Sequence, residues 1–242
     1  LLPVLLPVAT LMWSSSQFAQ PGNELFVTLV EKLHINGLAP LLALFFATML
    51  IAEEVEGQTL IYILTRPLQR SAWVLGRFLA YAIVAGSVMA VSIALTFAAS
   101  TPLPDLAFSS TDLLLALHYI AVAVTAVVAY GAFTMYLGAV TRWPVVLGVI
   151  FLYGWQRIAV QVLGVMDFLT LQKYTTALLP VLPTQRSNEA MTAILSGFQR
   201  AEFAIGATKA AGVLLLLTVF FVGATVYTLR TREYAKGRAI GA

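Results

Sequence analysis

The sequence predicts an all-α membrane protein, built as a bundle of about six transmembrane helices. Hydrophobic residues make up 60% of its 242 residues and charged residues only 10%, and the mean hydropathy is +0.89. A soluble globular chain is roughly half apolar and about a quarter charged. This much apolar surface exceeds what one core can bury, so lipid is the expected solvent for several runs of about 20 apolar residues.

We expect a single transmembrane domain over residues 1–242. The segment from Leu1 to Trp13 is interpreted as the outer part of a first span, because it lacks the basic region and the cleavage site of a signal peptide. TPLPDLAFSS is predicted to be a loop because of its prolines, and Pro144 suits the first turn of a helix. The predicted spans are residues 1–13 (partial), 35–52, 78–100, 113–140, 144–166 and 204–229.

The segment 167–203 connects the last two spans, and we expect it to form external re-entrant or interfacial helices. Four apolar residues in it follow the i, i+3, i+4, i+7 spacing of an amphipathic helix. Ser187 is a suitable cap before them, and Pro180 and Pro183 break the chain upstream. The four apolar residues are Met191, Ile194, Leu195 and Phe198.

The basic residues near the span ends predict the orientation of the bundle. Alternating the spans places one basic group close to the span ends, whereas the others lie in longer loops that have less influence. The side with the first group is expected to face the cytoplasm, together with loop 53–77 and the C-terminus. We expect a multi-pass protein of the bacterial inner (plasma) membrane. That group is Arg66, Arg70, Arg77, Arg142, Arg230, Arg232, Lys236 and Arg238.

Several kinds of chemistry are excluded by the sequence. It contains no cysteine, so disulfides, thiolate metal sites and cysteine nucleophiles are ruled out. It has no G-x-x-x-x-G-K-[S/T] phosphate loop, no H-E-x-x-H and no G-x-S-x-G. His34 and His118 are too few for a typical metal site. The net charge of +3 is spread along the chain. We therefore expect no enzyme activity, catalytic residue, metal or cofactor site, and no nucleic-acid partner.

Loop 53–77, with the sequence EEVEGQTLIYILTRPLQRSAWVLGR, is predicted to form a helix, a sharp turn and a second helix along the membrane face. Three acidic residues begin it, and an amphipathic stretch follows from Thr59 to Leu64. Pro67 disfavours helix at the residue before it, and Ser71 is a suitable N-cap for the next span. The apolar side chains of this loop need a partner, which is either another protein or, as an interfacial hairpin, the lipid headgroups.

The pattern of this loop resembles the type-2 permease family of ATP-binding-cassette transporters. Members carry a stretch like E-x-x-x-G-T-L-x-x-L-L-x-R-P-x-x-R, followed by a G-K or G-R pair. One departure is Gln58, which stands between the glycine and the threonine. The matching residues here are Glu53, Gly57, Thr59, Leu60, Ile63, Leu64, Arg66, Pro67, Arg70, Gly76 and Arg77.

The resemblance implies a permease subunit with six spans, cytoplasmic termini and a cytoplasmic coupling helix in loop 53–77. Its expected partners are cytoplasmic ATPase subunits, a second permease copy or a homologous sibling, and the lipid bilayer. ATP and Mg would be bound by the partner ATPase, and export is the implied direction. The residues expected to couple to the ATPase are Glu53, Glu54, Glu56, Gly57, Thr59, Leu60, Leu64, Arg66, Pro67 and Arg70.

Three polar residues interrupt the apolar run of the fifth predicted span. Arg157 lies within it, beside Gln156 and one turn before Gln161. A charge at membrane depth is costly and usually faces a cavity or a partner. These three residues are therefore candidates for a substrate pathway, and the alternative is that Arg157 extends toward the outer headgroups.

Two other classes of protein compete with a permease. An ion-gradient-driven secondary transporter would show several ionisable residues at mid-span and an inverted repeat. Arg157 is one such residue, and a single ionisable residue gives this class little support. An intramembrane enzyme would need a nucleophile–base pair or a metal site, which the sequence does not offer. An ATPase encoded next to this chain would favour the permease over both.

Overall fold

A computed structural model describes residues 22–51, 69–102, 106, 108–141, 143–156, 158, 168–180 and 205–231. All regular structure in this part of the chain is helical, and it contains no strand. The predicted all-α class is therefore confirmed. The first predicted span, residues 1–13, lies outside the described residues.

Six helices organise the described chain, and they are numbered here in chain order. Four of them, α1, α2, α3 and α6, are long and apolar enough to cross a membrane. The two longest, α2 and α3, have 31 residues each and extend about 46 Å at the rise of an α-helix, which exceeds the roughly 30 Å hydrocarbon core. The helices are α1 (Gly22–Ile51), α2 (Arg70–Ser100), α3 (Ser110–Val140), α4 (Pro144–Trp155), α5 (Leu171–Thr176) and α6 (Ala207–Thr231).

Helix α1 differs most from the sequence prediction, because it begins at Gly22 rather than at residue 35. The polar residues before residue 35 suggested a loop, but the bundle supplies partners for them from other helices. Two stretches of α1 are wound as π-helix, Val30–Leu38 and Ala43–Ala47. Such windings inside α-helices occur often at functional sites.

The ends of α2 and α3 follow from local sequence. Helix α2 begins at Arg70, so its first two turns occupy the end of predicted loop 53–77. Its N-cap is Gln69, in extended conformation and without a side-chain cap, which corrects the predicted cap Ser71. The side chain of Ser109 caps α3 by accepting a hydrogen bond from the backbone N–H of Asp112 at 3.2 Å.

Helix α3 is the centre of the bundle and packs against every other described helix. One group of aromatic rings joins it to α4 and α6: the Phe133 ring lies 4.7 Å from that of Phe151 and 5.2 Å from that of Phe221. A second group joins α1 to α2 and α3, where the Phe26 ring meets Phe97 at 5.5 Å and Tyr119 at 6.0 Å. Such close packing is a main source of helix association in lipid.

Two glycines let helices approach α3 closely. A Cβ on Gly138 would lie 2.7 Å from the carbonyl oxygen of Thr48 on α1, and a Cβ on Gly131 would collide with the ring of Tyr81 on α2. Beside these contacts the hydroxyl of Thr134 donates a hydrogen bond to the carbonyl of Ala43 at 2.9 Å. Small residues and interhelical hydrogen bonds therefore fix α1 and α2 against α3.

Candidate functional site

The loop end of the bundle is the end at which α1 stops at Ile51 and α2 starts at Arg70. There Nη1 of Arg77 donates a hydrogen bond to the carbonyl of Leu50, and the guanidinium lies 4.6 Å from the centre of the Trp73 ring. The last carbonyls of a helix have no partner within it, and a basic group is favoured there. Arg77 thus ties the last turn of α1 to the second turn of α2.

The loop between these two helices carries most of the predicted coupling residues. Arg70 is the first residue of α2, and its coupling role stays a prediction. The other predicted coupling residues lie outside the described part of the chain: Glu53, Glu54, Glu56, Gly57, Thr59, Leu60, Leu64, Arg66 and Pro67.

A buried polar cluster lies where α3, α4 and α5 meet. The side chains of Thr175 and Gln156 lie next to the hydroxyl of Tyr130, and all three residues are buried. Helical side chains point toward the N-terminus of their helix, so this hydroxyl lies close to the middle of α3. The cluster is therefore near the centre of the spans, where polar groups are costly and usually functional.

Gln156 is the predicted pathway residue that the structure describes. Its side chain is 3% exposed, and its Nε2 has no hydrogen-bond partner among the described residues. A buried donor without a partner costs about 1–3 kcal/mol, which marks this amide as a group available to a bound molecule. Arg157 and Gln161 lie outside the described residues.

The polar cluster extends to α1 through Tyr153, one turn before Gln156. The Tyr153 hydroxyl donates a hydrogen bond to the carbonyl of Gly37 at 2.9 Å. The neighbouring Asn36 has a buried Oδ1 with no partner in the described structure. Both Asn36 and Gly37 lie in the first π-helical stretch of α1. Among the described residues, the cluster thus offers one unpartnered donor, Nε2 of Gln156, and one unpartnered acceptor, Oδ1 of Asn36.

Two ionisable residues of the same π-helical stretch bind neighbouring helices. The Tyr119 hydroxyl of α3 donates to Oε1 of Glu31 at 3.1 Å. Nε2 of His34 lies 3.0 Å from the hydroxyl of Ser92 on α2. These polar contacts connect α1 to α3 and to α2. Because each ionisable side chain has a polar partner, Glu31 and His34 can lie within an apolar span.

Helix α5 enters the bundle from the predicted external segment. Thr175 reaches the Tyr130 hydroxyl, and His118 Nε2 donates to the carbonyl of Leu178 at 3.0 Å. The Thr170 side chain caps α5 by accepting from the N–H of Lys173 at 3.3 Å. Residues 181–203, with the predicted amphipathic stripe, lie outside the described residues, so that helix stays a prediction.

The chemistry available to this cluster is hydrogen bonding. Hydroxyl, amide and backbone carbonyl groups can bind a polar molecule through neutral donors and acceptors. No group of three His, Cys, Asp or Glu residues in the described regions could hold a metal ion.

Comparison with known protein families decides between the competing classes. The family described as "ABC-2 family transporter protein" matches residues 8–234, which is nearly the whole chain. The chain belongs to the ABC-2 transporter family. No curated protein matches it. This ABC-2 protein is a multi-pass membrane permease subunit of an ABC transporter, and the membership implies partnership with an ABC ATPase subunit.

The ABC-2 permease also contains functional candidates that the sequence predictions missed. Tyr130, Tyr153 and Thr175 join Gln156 in the polar cluster. The available signal was a tyrosine within an apolar run, because a buried hydroxyl usually needs a partner. No comparable signal marked Thr175, whose partner is distant in sequence.

Proposed function

We propose that this permease uses ATP, hydrolysed with Mg by separate cytoplasmic ATPase subunits, to export a substrate across the bacterial inner membrane. Two permease copies, or one copy and a homologous sibling, would form the membrane part of the complex. Loop 53–77 would face the cytoplasm with both termini and dock on the ATPase. The observation that carries the proposal is the match to the ABC-2 family over residues 8–234.

The bonding at the loop end supports a coupling role for loop 53–77. The loop leaves α1 after Ile51 and returns at Arg70, and Arg77 joins the two helices through Leu50. A force on the loop would therefore act on both helices together. Helix α1 would pass the movement inward through Gly138 and Thr134 of α3, which contact Thr48 and Ala43.

The polar cluster supports a substrate pathway through the bundle. Export of a polar substrate requires groups that can bind it at membrane depth and then release it. The unpartnered Nε2 of Gln156 and Oδ1 of Asn36 could contribute one hydrogen bond each, and Tyr130 and Tyr153 position the surrounding helices. Arg157 and Gln161 are proposed to extend this pathway along the same span.

The docking of loop 53–77 can be tested with Leu60→Asp in the complex purified with its ATPase. A charge in an apolar cleft should release the ATPase or uncouple its activity from transport, because an unpaired buried charge is strongly unfavourable. Gly57→Pro should act similarly by disturbing the turn. The measurements are ATPase copurification and substrate-stimulated hydrolysis.

Ser110→Asp is the matched control, because it adds the same charge at an exposed position at the start of α3, at the other end of the bundle from loop 53–77. It should leave both readouts near wild type. If Leu60→Asp retains wild-type stoichiometry and stimulated hydrolysis, the loop does not dock on the ATPase, and the interfacial hairpin in lipid is correct instead.

A further inference from the structure

Two amide side chains of the polar cluster have a buried atom without a hydrogen-bond partner among the described residues. These atoms are the donor Nε2 of Gln156 on α4 and the acceptor Oδ1 of Asn36 on α1. The Tyr153 hydroxyl of α4 joins the two helices through its hydrogen bond to the carbonyl of Gly37. Gly37 directly follows Asn36 on α1, and on α4 Tyr153 precedes Gln156 by one turn. The donor and the acceptor therefore belong to two helices that meet beside them.

Asn36 lies at about the same depth in the bundle as the Tyr130 hydroxyl. Helices α1 and α3 run in the same direction, and the hydrogen bond from Thr134 to the carbonyl of Ala43 places those two residues at one level. From that level Asn36 is roughly 10 Å closer to the start of α1. Tyr130 is about 6 Å closer to the start of α3, and its side chain leans further in that direction.

The π winding of α1 directs Asn36 into the space between α3 and α4. Glu31 faces α3, where it contacts Tyr119, and Gly37 faces α4. A π turn takes between four and five residues, so Asn36, five residues after Glu31, lies less than about 90° beyond it around the helix axis. Gly37 follows one step later. Asn36 therefore points between the two helices that carry Tyr130 and Gln156.

The described groups around this space are neutral hydroxyls and amides. At membrane depth a charged molecule needs a compensating group beside it. The ionisable Glu31 and His34 of the same π-helical stretch are bonded to other side chains, of Tyr119 and Ser92. One donor and one acceptor together match a ligand group that has an acceptor and a donor of its own, as an uncharged carboxamide has.

We propose that the substrate of this exporter carries an uncharged carboxamide or peptide group, which binds between α1, α3 and α4. Its carbonyl oxygen accepts a hydrogen bond from Nε2 of Gln156, and its N–H donates to Oδ1 of Asn36. A carboxylate has no donor for Oδ1, and an amidinium has no acceptor for Nε2. This inference rests on the proposed transport function and names the substrate class for the same site.

Three probes of one shape test the charge and the hydrogen bonding of the bound group. Benzamide has both a donor and an acceptor, benzoate has only acceptors, and protonated benzamidine has only donors. Their binding to the purified permease in a neutral detergent can be measured by saturation-transfer NMR titration, with empty micelles as the blank. We expect benzamide to bind about three- to ten-fold more tightly than either charged probe, because each of these loses a hydrogen bond.

Variants of the two amides locate the binding. Gln156→Leu and Asn36→Leu should each weaken benzamide binding about three- to ten-fold, by the loss of one neutral hydrogen bond. Thr125→Val is the matched control, because it removes an exposed hydroxyl of α3 that bonds to Ala121 within its own helix. It should leave benzamide binding unchanged. If an amide variant does not fold, the comparison of the three probes on the natural chain decides.

Two results would overturn the proposal. The first is equal binding of benzamide to the natural chain and to Gln156→Leu, as expected if water alone satisfies the two amides. The second is tighter binding of a charged probe: benzoate if the adjacent Arg157 selects anions, or benzamidine if Glu31 selects cations. Neither result affects ATPase copurification, whereas loss of that copurification would count against the proposed function and leave the probe measurements unchanged.

Discussion

Arg77 on the second turn of α2 donates a hydrogen bond to the carbonyl of Leu50 on the last turn of α1. The two residues are 27 positions apart in sequence, and loop 53–77 lies almost entirely between them. This bond therefore closes the base of the loop that is proposed to dock on the ATPase. It also satisfies a helix-terminal carbonyl at the membrane boundary, where an unpaired carbonyl would be costly.

Arg77→Met should loosen the base of the loop and weaken the coupling between hydrolysis and transport. A hydrogen bond to a charged group contributes about 1.5–3 kcal/mol, so a comparable loss of stability is expected in detergent. The measurements are denaturant unfolding and the ratio of substrate transported to ATP hydrolysed. Arg77→Lys keeps a donor, so its stability and its ratio of transport to hydrolysis should lie between those of the wild type and of Arg77→Met. Unchanged coupling in Arg77→Met would show that the bond only stabilises the fold.

Gln156→Leu should reduce transport while changing stability little, because the loss of a polar neighbour of Tyr130 and the removal of the unpartnered Nε2 act in opposite directions. Its Nε2 is buried without a partner in the described structure, so an apolar side chain of similar size removes an unfavourable group. Loss of one neutral hydrogen bond to the substrate should lower apparent affinity about three- to ten-fold. Transport assays measure the change in apparent affinity, and thermal unfolding measures the change in stability. Lower stability with unchanged transport would mean that the amide is structural.

Gly131→Ala should destabilise the bundle by about 1–3 kcal/mol, because overpacking forces neighbouring side chains to move. The new methyl group would displace the ring of Tyr81, whose hydroxyl donates to the carbonyl of Val127 at 3.0 Å. Gly223→Ala on α6 is the control, since a Cβ there has no contact within 4 Å. Unfolding in a denaturing detergent should separate the two variants. Equal stabilities would contradict the close α2–α3 contact.

Single cysteines should report the orientation of the permease, because the natural chain has none. Gln69→Cys and Lys236→Cys should react with an impermeant maleimide only after the cytoplasmic side is opened, and Gln185→Cys should react from outside. Labelling of Gln185→Cys from the cytoplasmic side alone would reverse the orientation. The proposed coupling role of loop 53–77 would then be wrong.

Where a strong local signal stands at the start of an apolar run, the helix begins at or near the position that the sequence indicates. The predicted span 113–140 corresponds to α3, which begins at Ser110 after a serine cap. Helix α4 begins at Pro144, where the fixed backbone angle of proline suits a first turn. A serine cap and a helix-starting proline act on residues a few positions away, so both can be recognised from the sequence alone.

Contacts between distant residues explain what the sequence could not predict. Glu31 and His34 appeared unsuited to a span, but Tyr119 and Ser92 provide their partners across 88 and 58 positions. Gln156 was predicted as a pathway residue because it interrupts an apolar run. The hydroxyls that surround it come from other helices, and composition does not show which helices will be neighbours.

The two π-helical stretches of α1 have a consequence for how that helix can move. A π turn holds more residues than an α turn, so relaxing one π bulge to regular α-helix shifts the register by one residue. In a helix with 3.6 residues per turn, that shift rotates everything beyond it by about 100°. The segment Ala43–Ala47 lies between the polar cluster at Gly37 and the Arg77 contact at Leu50. If one of these stretches converts to α-helix, the two ends of α1 can therefore rotate about the helix axis by different amounts.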